Sequence, residues 1–245
     1  VNLNSHDISL LKQLLLRGIR ESQIENYLKK TTLLVREFPR DSTVINRGKN
    51  FHWLLILTRG EAVSEISSYS GKLIKIDYLK PPEIVAPACL FVEKYEIPVT
   101  IRTITNCRFI YIPKSEIQNW LSQNSPFGGE FSKNMLRIIS KKAINLSKRI
   151  SFLTLHTIEE KFISYLLSLS PENIAEDTGM RIKDKQITVT LSISIEELAA
   201  YFGVERPSLS RAIGRLEKRG VITRAKKRGK EGYIFTLKLP YMGSL

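Results

Sequence analysis

The sequence predicts an α+β chain in three consecutive parts: an antiparallel all-β roll or barrel preceded by helices, one long helix, and a C-terminal winged helix-turn-helix. Three observations carry this expectation. Between Leu33 and Ile112, short alternating apolar runs are separated by turn residues. From 127 to 153, apolar residues recur at spacings of three and four without a break. From Ile195 to Ile222, two short helical patterns flank a glycine, and arginines cluster on the second.

Residues 5–37 read as helical, with Ile8, Leu11, Leu14, Leu15, Ile19, Ile24 and Leu28 at the apolar positions. The strand-like runs that follow are Val44-Ile45, Trp53 to Leu57, Ala62 to Ile66, Leu73 to Ile76, Val99 to Arg102 and Phe109 to Ile112. Gly48, Gly60, Gly71 and Pro81-Pro82 punctuate them, as expected between short antiparallel strands. Helical texture resumes near Lys114.

In the long helix, Leu136, Ile139, Ala143, Leu146, Ile150 and Leu153 form a narrow seam. Residues 131–155 hold six basic residues and no acid. A buried helix of a single chain also shows an apolar stripe. A stripe this narrow on an otherwise polar helix needs a partner helix to cover it, so the seam predicts a homodimer.

A further helix is expected at 157–170, with Ile158, Phe162, Ile163, Leu166 and Leu167 inward, then a polar linker over 171–186 and a short strand from Ile187 to Leu191. Ser194 is placed to cap the next helix, with Glu197 completing a capping box. Leu198, Ala199 and Phe202 form its apolar face, and Gly203 supplies the turn. Pro207 is tolerated in the first turn of the second helix, where backbone N–H groups lack intrahelical partners. Leu209, Ala212, Ile213 and Leu216 point inward, which leaves Arg206, Ser210, Arg211 and Arg215 outward. Gly220 terminates the helix. Val221 to Lys227 and Tyr233 to Leu239 read as two strands around a basic tip, forming a wing whose Lys226, Lys227 and Lys230 would reach phosphates.

Composition narrows the function classes. The chain has 245 residues, 42% hydrophobic and 25% charged, with a net charge of +14. Residues 201–230 alone carry ten Lys/Arg against Glu205 and Glu217. Plain structural packing of a helix pair would more often mix charges, and this excess favours a polyanionic partner. No apolar run reaches the eighteen or so residues of a membrane span, and no signal peptide is visible. Two cysteines, Cys89 and Cys107, argue for a reducing cytoplasm rather than a disulfide framework.

With these residues in this order, the chain resembles the cyclic-AMP receptor protein/FNR (Crp/Fnr) family of bacterial transcription regulators. The match is strongest from Gly203 to Arg211 and good around Gly48 and Gly60. The resemblance implies a jelly roll like that of cyclic-nucleotide-binding domains over 1–126, a dimerisation helix over 127–155 and a DNA-binding domain over 156–245. It implies a homodimer on a pseudo-palindromic DNA operator, a small-molecule effector of unknown identity held in the roll, and RNA polymerase as a further partner. No membrane association and no enzyme activity are expected.

The effector segment aligns without its motif. Family members that bind cyclic AMP carry a Gly-Glu pair and an Arg-Ser pair, where this sequence has Ala86-Pro87 and Ile97-Pro98. A cyclic phosphate would meet no arginine and two prolines without N–H groups, so cyclic AMP is disfavoured. The expected pocket is Ala86, Pro87, Cys89, Ile97 and Pro98. No cofactor and no metal are predicted. An iron–sulfur cluster needs four cysteine ligands where the chain has two, and the family's N-terminal cysteine cluster is missing. Haem is disfavoured because His6, His52 and His156 read as isolated histidines. Cys89 reads more readily as a buried small hydrophobe than as a regulatory thiol.

By position, Arg206 and Arg211 match the two arginines that in the family's best-known member contact guanines. Pro207 stands where that member has a glutamate accepting from cytosine, so its operator does not carry over. Ser194 and Ser208 match backbone-contacting hydroxyls, and Ser210 and Arg215 complete the expected DNA face. Two alternatives remain at this stage. A cupin-like enzyme is disfavoured because the roll contains His52 alone among histidines. A basic scaffold binding nucleic acid or anionic surfaces without sequence preference is distinguishable by salt titration.

Overall fold

The computed structural model describes residues 3–69, 71, 73–92, 96–122, 126–169, 186–226 and 232–238. The chain divides into two compact units, Val1–Ile144 and Asn145–Leu245.

The first unit opens with α1 (Ser5–Leu14) and α2 (Glu21–Lys30). The expected continuous helix over 5–37 is therefore interrupted, at a glycine: Gly18 has φ +82° and turns the chain between the two helices. The last part of that span is strand, β1 (Leu34–Phe38). Then follow β2 (Thr43–Ile45), β3 (Trp53–Arg59), β4 (Ala62–Ser67), β5 (Leu73–Leu79), β6 (Glu83–Val85), β7 (Thr100–Thr103) and β8 (Cys107–Pro113). They form two antiparallel four-stranded sheets, ordered β1-β8-β3-β6 and β2-β7-β4-β5.

Strand alternation explains how one sheet serves two cores. On β3 and β8, Leu55, Leu57, Phe109 and Tyr111 join Ile45, Ala62 and Ile101 of the second sheet in one cluster. Their neighbours Leu54, Ile56, Ile110 and Ile112 face a second cluster with Leu11, Leu15 and Ile24 of the helices. Burial on both faces is why β3 reads as an unbroken apolar run. The turn from β3 to β4 needs Gly60: it has φ +85°, and a Cβ there would lie 2.2 Å from the Asn106 carbonyl oxygen.

After α3 (Lys114–Ser122) comes α4 (Pro126–Thr154), the long helix expected from the sequence. Its first turns bury Phe127, Phe131 and Met135 against the helical cluster. Trp120 meets Phe131 edge-on at 5.0 Å. Buried Asn134 donates to the carbonyls of Leu15 and Arg17, both at 2.9 Å, which satisfies the open end of α1. A different face of α4 carries the predicted seam, with Leu136, Ala143, Leu146, Ile150 and Leu153 exposed and Ile139 half-buried.

The second unit comprises the last turns of α4, then α5 (Ile158–Ser168), β9 (Gln186–Leu191), α6 (Ile195–Phe202), α7 (Arg206–Lys218), β10 (Ile222–Lys226) and β11 (Tyr233–Lys238). Its strands form an antiparallel sheet ordered β10-β11-β9. Phe152, Phe162, Leu166, Leu198, Phe202, Leu209, Ile213 and Phe235 build its core. Nearly all of the predicted 171–186 linker lies outside the described residues.

Candidate nucleic-acid interface and effector segment

The helix-turn-helix is fixed by local chemistry at each joint. Ser194 Oγ accepts from the Glu197 N–H at 3.1 Å, and Glu197 Oε2 accepts from the Ser194 N–H at 2.7 Å. Such a capping interaction is worth about 1 kcal/mol. Gly203 ends α6 in the left-handed region with φ +66°. Arg149, on the last turns of α4, donates to the carbonyls of Tyr201 at 3.0 Å and Ala200 at 2.9 Å. A cation at these terminal carbonyls satisfies acceptors and complements the helix dipole. The sequence reading did not foresee this anchor, since the two groups are about fifty residues apart.

On α7, Leu209, Ala212, Ile213 and Leu216 are buried, while Arg206, Ser210, Arg211 and Arg215 are exposed and Ser208 is half-buried. The five are not equivalent. Among the described residues, Arg206 and Arg211 form no ion pair, and Arg211 donates to Ser208 Oγ at 3.3 Å. Arg215 is held instead by Glu159 of α5 at 2.6 Å, and the same carboxylate takes Arg219 at 2.9 Å. Arg224 pairs with Glu217 at 3.0 Å. Glu159 escaped the sequence reading because the pairing spans 56 residues, beyond the reach of any local pattern. Lys226 ends β10 as an exposed residue opposite Tyr233. Lys227 and Lys230 lie outside the described residues. The placed cations still define one basic face, with α7 presenting its N-terminal half outward.

In the roll, β6 leads into Ala86, which is held left-handed at φ +47° and ψ +48°, and then into a short 3-10 turn over Pro87–Leu90. A non-glycine residue there carries roughly 1–3 kcal/mol of strain. Cys89 and Ile97 are buried in the core between the sheets, Ala86 is half-buried beside it, and Pro98 is exposed. Backbone donors are occupied or missing: the Cys89 N–H bonds the Ala86 carbonyl at 3.1 Å and the Ile97 N–H bonds the Lys49 carbonyl at 3.2 Å, while Pro87 and Pro98 have none. This segment offers an apolar wall rather than an anion cradle. Burial pushes the thiols of Cys89 and Cys107 up, which disfavours the reactive thiolate. Among the described residues, no three His, Cys, Asp or Glu side chains converge as metal ligands. Lys142 of α4 forms an ion pair with Glu83 of β6, three residues before Ala86.

A double-sheet roll, a long helix with an uncovered apolar seam and a basic winged helix-turn-helix define a DNA-binding transcription regulator with an effector-binding domain. Residues 35–124 match the cyclic nucleotide-binding domain family, and residues 160–238 match the Crp-like helix-turn-helix domain family. The chain belongs to the Crp/Fnr family of transcription regulators. The anaerobic regulatory protein of Bacillus subtilis (strain 168) is 23% identical over 188 residues, covering 77% of this chain and 75% of that protein. Two solved structures share the fold. The c-di-GMP-responsive global regulator CLP of Xanthomonas campestris is 21% identical with a TM-score of 0.58, over 89% of this chain and 99% of that one. A CooA mutant from Carboxydothermus hydrogenoformans is 16% identical with a TM-score of 0.61, over 97% of this chain and 92% of that one.

Proposed function

We propose that the protein acts in the cytoplasm as a homodimer that reads a pseudo-palindromic operator through α7, under control of a small-molecule effector held in the roll. The observation that carries the DNA-reading part is the outward pair Arg206 and Arg211, not engaged in ion pairs among the described residues, on the first two turns of a helix whose opposite side is fully packed. Arginine at such positions reaches guanine O6 and N7 in the major groove. Arg215 and Arg219, tied to Glu159, suit the flanking phosphates, with Lys226, Ser194 and Ser208 alongside. Dimerisation is supported by the uncovered α4 seam. A two-fold axis then requires half-sites about 34–36 Å apart, one helical turn.

The signal itself is proposed to be neither cyclic AMP nor one sensed by a resident haem or iron–sulfur cluster. The support is the two-proline effector segment and the ligand count of the sequence. RNA polymerase is a further proposed partner, by family alone. The test is a salt titration on an operator recovered by in vitro selection and on random DNA of equal length. Sequence-specific reading gives tighter operator binding at every salt concentration, whereas a sequence-blind scaffold binds both duplexes alike with the same salt slope.

A further inference from the structure

Val85, Leu55, Tyr111 and Leu34 are register partners in one row across the first sheet. Tyr111 thus stands two strands from Val85, the residue before Ala86 and the Pro87–Leu90 turn. Its ring belongs to the cluster between the sheets, together with Val85, Leu55, Cys89 and Ile97. Tyr111 is 6% exposed. Its hydroxyl is the one fully buried side-chain polar atom among the described residues that has no hydrogen-bond partner. A buried hydroxyl in this state is destabilising, and native proteins keep few of them without a reason. Trp53 meets the Tyr111 ring edge-on at 6.0 Å, so two aromatic walls adjoin the unpartnered group.

We propose that Tyr111 marks the effector site of the roll, and that the site takes an uncharged planar aromatic molecule whose hydrogen-bond acceptor receives the Tyr111 hydroxyl. The inference rests on reading the roll as a sensor and names the class of molecule it senses. Planarity follows from the perpendicular Trp53 and Tyr111 rings, which suit stacked and edge contacts. Neutrality follows from the lining. The neighbouring side chains are apolar, and the Cys89 and Ile97 N–H groups are already bonded. Arg36, an exposed residue, lies over the face of the Tyr111 ring at 5.3 Å and so occupies that face. An anion buried here would lose hydration without a dedicated partner.

The experiment uses full-length protein and three probes: methyl benzoate, toluene and benzoate, which share a ring and differ in acceptor and charge. Binding is read by calorimetry and by tryptophan fluorescence. Methyl benzoate is expected to bind about five- to tenfold tighter than toluene, the ratio one hydrogen bond supplies, and benzoate more weakly than its ester. Tyr111→Phe removes the hydroxyl alone. It should make methyl benzoate and toluene equal while leaving the ligand-free Tm at or above that of the parent, because no native hydrogen bond is lost. The proposal is overturned if Y111F keeps the ester-to-toluene ratio, if its ligand-free Tm falls by several degrees, if benzoate binds best, or if no probe binds at millimolar concentration. Operator affinity is measured in parallel. Ester binding that depends on Tyr111 and leaves operator affinity unchanged supports the site and counts against the roll as a sensor.

Discussion

Leu146→Asp should convert the protein from dimer to monomer without unfolding it, and the size of the effect can be worked from exposure. Leu136, Leu146, Ile150 and Leu153 remain 65, 58, 53 and 42% exposed in the single chain. Complete burial of such a side chain is worth about 1.5–3 kcal/mol, so with half already realised each retains roughly 1 kcal/mol. Four per chain, counted on both chains of a dimer, give about 8–10 kcal/mol of gross association energy. That is comparable with the cost of association, about 4–15 kcal/mol, so the seam is able to drive dimerisation but has little surplus to lose.

Leu146→Ala should therefore forfeit about 2 kcal/mol per dimer, roughly a 30-fold weaker Kd. Leu146→Asp adds two carboxylates facing each other across an apolar seam, a penalty of several kcal/mol and a weakening beyond about a thousandfold. Leu146 packs in neither core cluster, so the Tm of the monomer should not fall. Sedimentation velocity from 0.1 to 50 micromolar, with circular dichroism on the same samples, reads both quantities. A Leu146→Asp variant that still sediments as a dimer at micromolar concentration refutes the seam assignment.

Arg206→Ala or Arg211→Ala should cost about 1–3 kcal/mol on the selected operator and relax preference at one base position per half-site, whereas Lys226→Ala should weaken operator and random DNA together and lower the salt slope by about one. Binding of both duplexes at two salt concentrations separates these outcomes, and equal losses for Arg206→Ala on both duplexes would show that α7 is not the reader. Cyclic AMP is expected neither to bind in the roll nor to alter operator affinity, and micromolar binding by calorimetry would overturn that expectation. Stability should fall in acid through Asp7, which is fully buried and bonded to Arg108 at 2.8 Å. Burial acts to raise its pKa, but hydrogen bonds from Arg108, Asn4 and Thr58 and the Arg108 charge outweigh it, so the folded value lies below the ordinary aspartate range. A depressed folded pKa gives stability that is complete above the unfolded value and lost as pH falls through the folded one. Asp7→Asn should destabilise by about 3 kcal/mol at neutral pH, since it strips a partially buried arginine of its partner, and should flatten the acid limb of a denaturation series.

The parts of this fold that were legible in the sequence are those whose cause is local. The helix-turn-helix announces itself through Ser194, Glu197, Gly203 and Gly220, because capping boxes and left-handed turns act over three or four residues. The α4 seam is legible for the same reason. β1 and β6 were missed. β1 follows a helical pattern almost without punctuation, and β6 has only three residues, flanked by Pro81-Pro82 and Pro87. Their strand character comes from pairing with β8 and β3, which local propensity does not record.

The functional site divides along the same line. Exposure of Arg206 and Arg211 follows from helical periodicity, but the distinction between them and Arg215 requires Glu159, which is close only in the folded chain. In the roll the sequence could say what the effector segment lacks, since a missing arginine and two prolines are visible as letters. What the segment possesses instead is tertiary. Tyr111 is one apolar-patterned strand residue among seven until the register places it in the row that ends at Val85. The same strand supplies the next link, because Glu83 of β6 is paired with Lys142 of α4, and Lys142 precedes Ala143 of the seam. A molecule that displaced the turn after Val85 would therefore act on a strand already tied to the helix that presents the dimer face. Coupling of this kind needs a contiguous packed route between sites, and within the first unit that route is short.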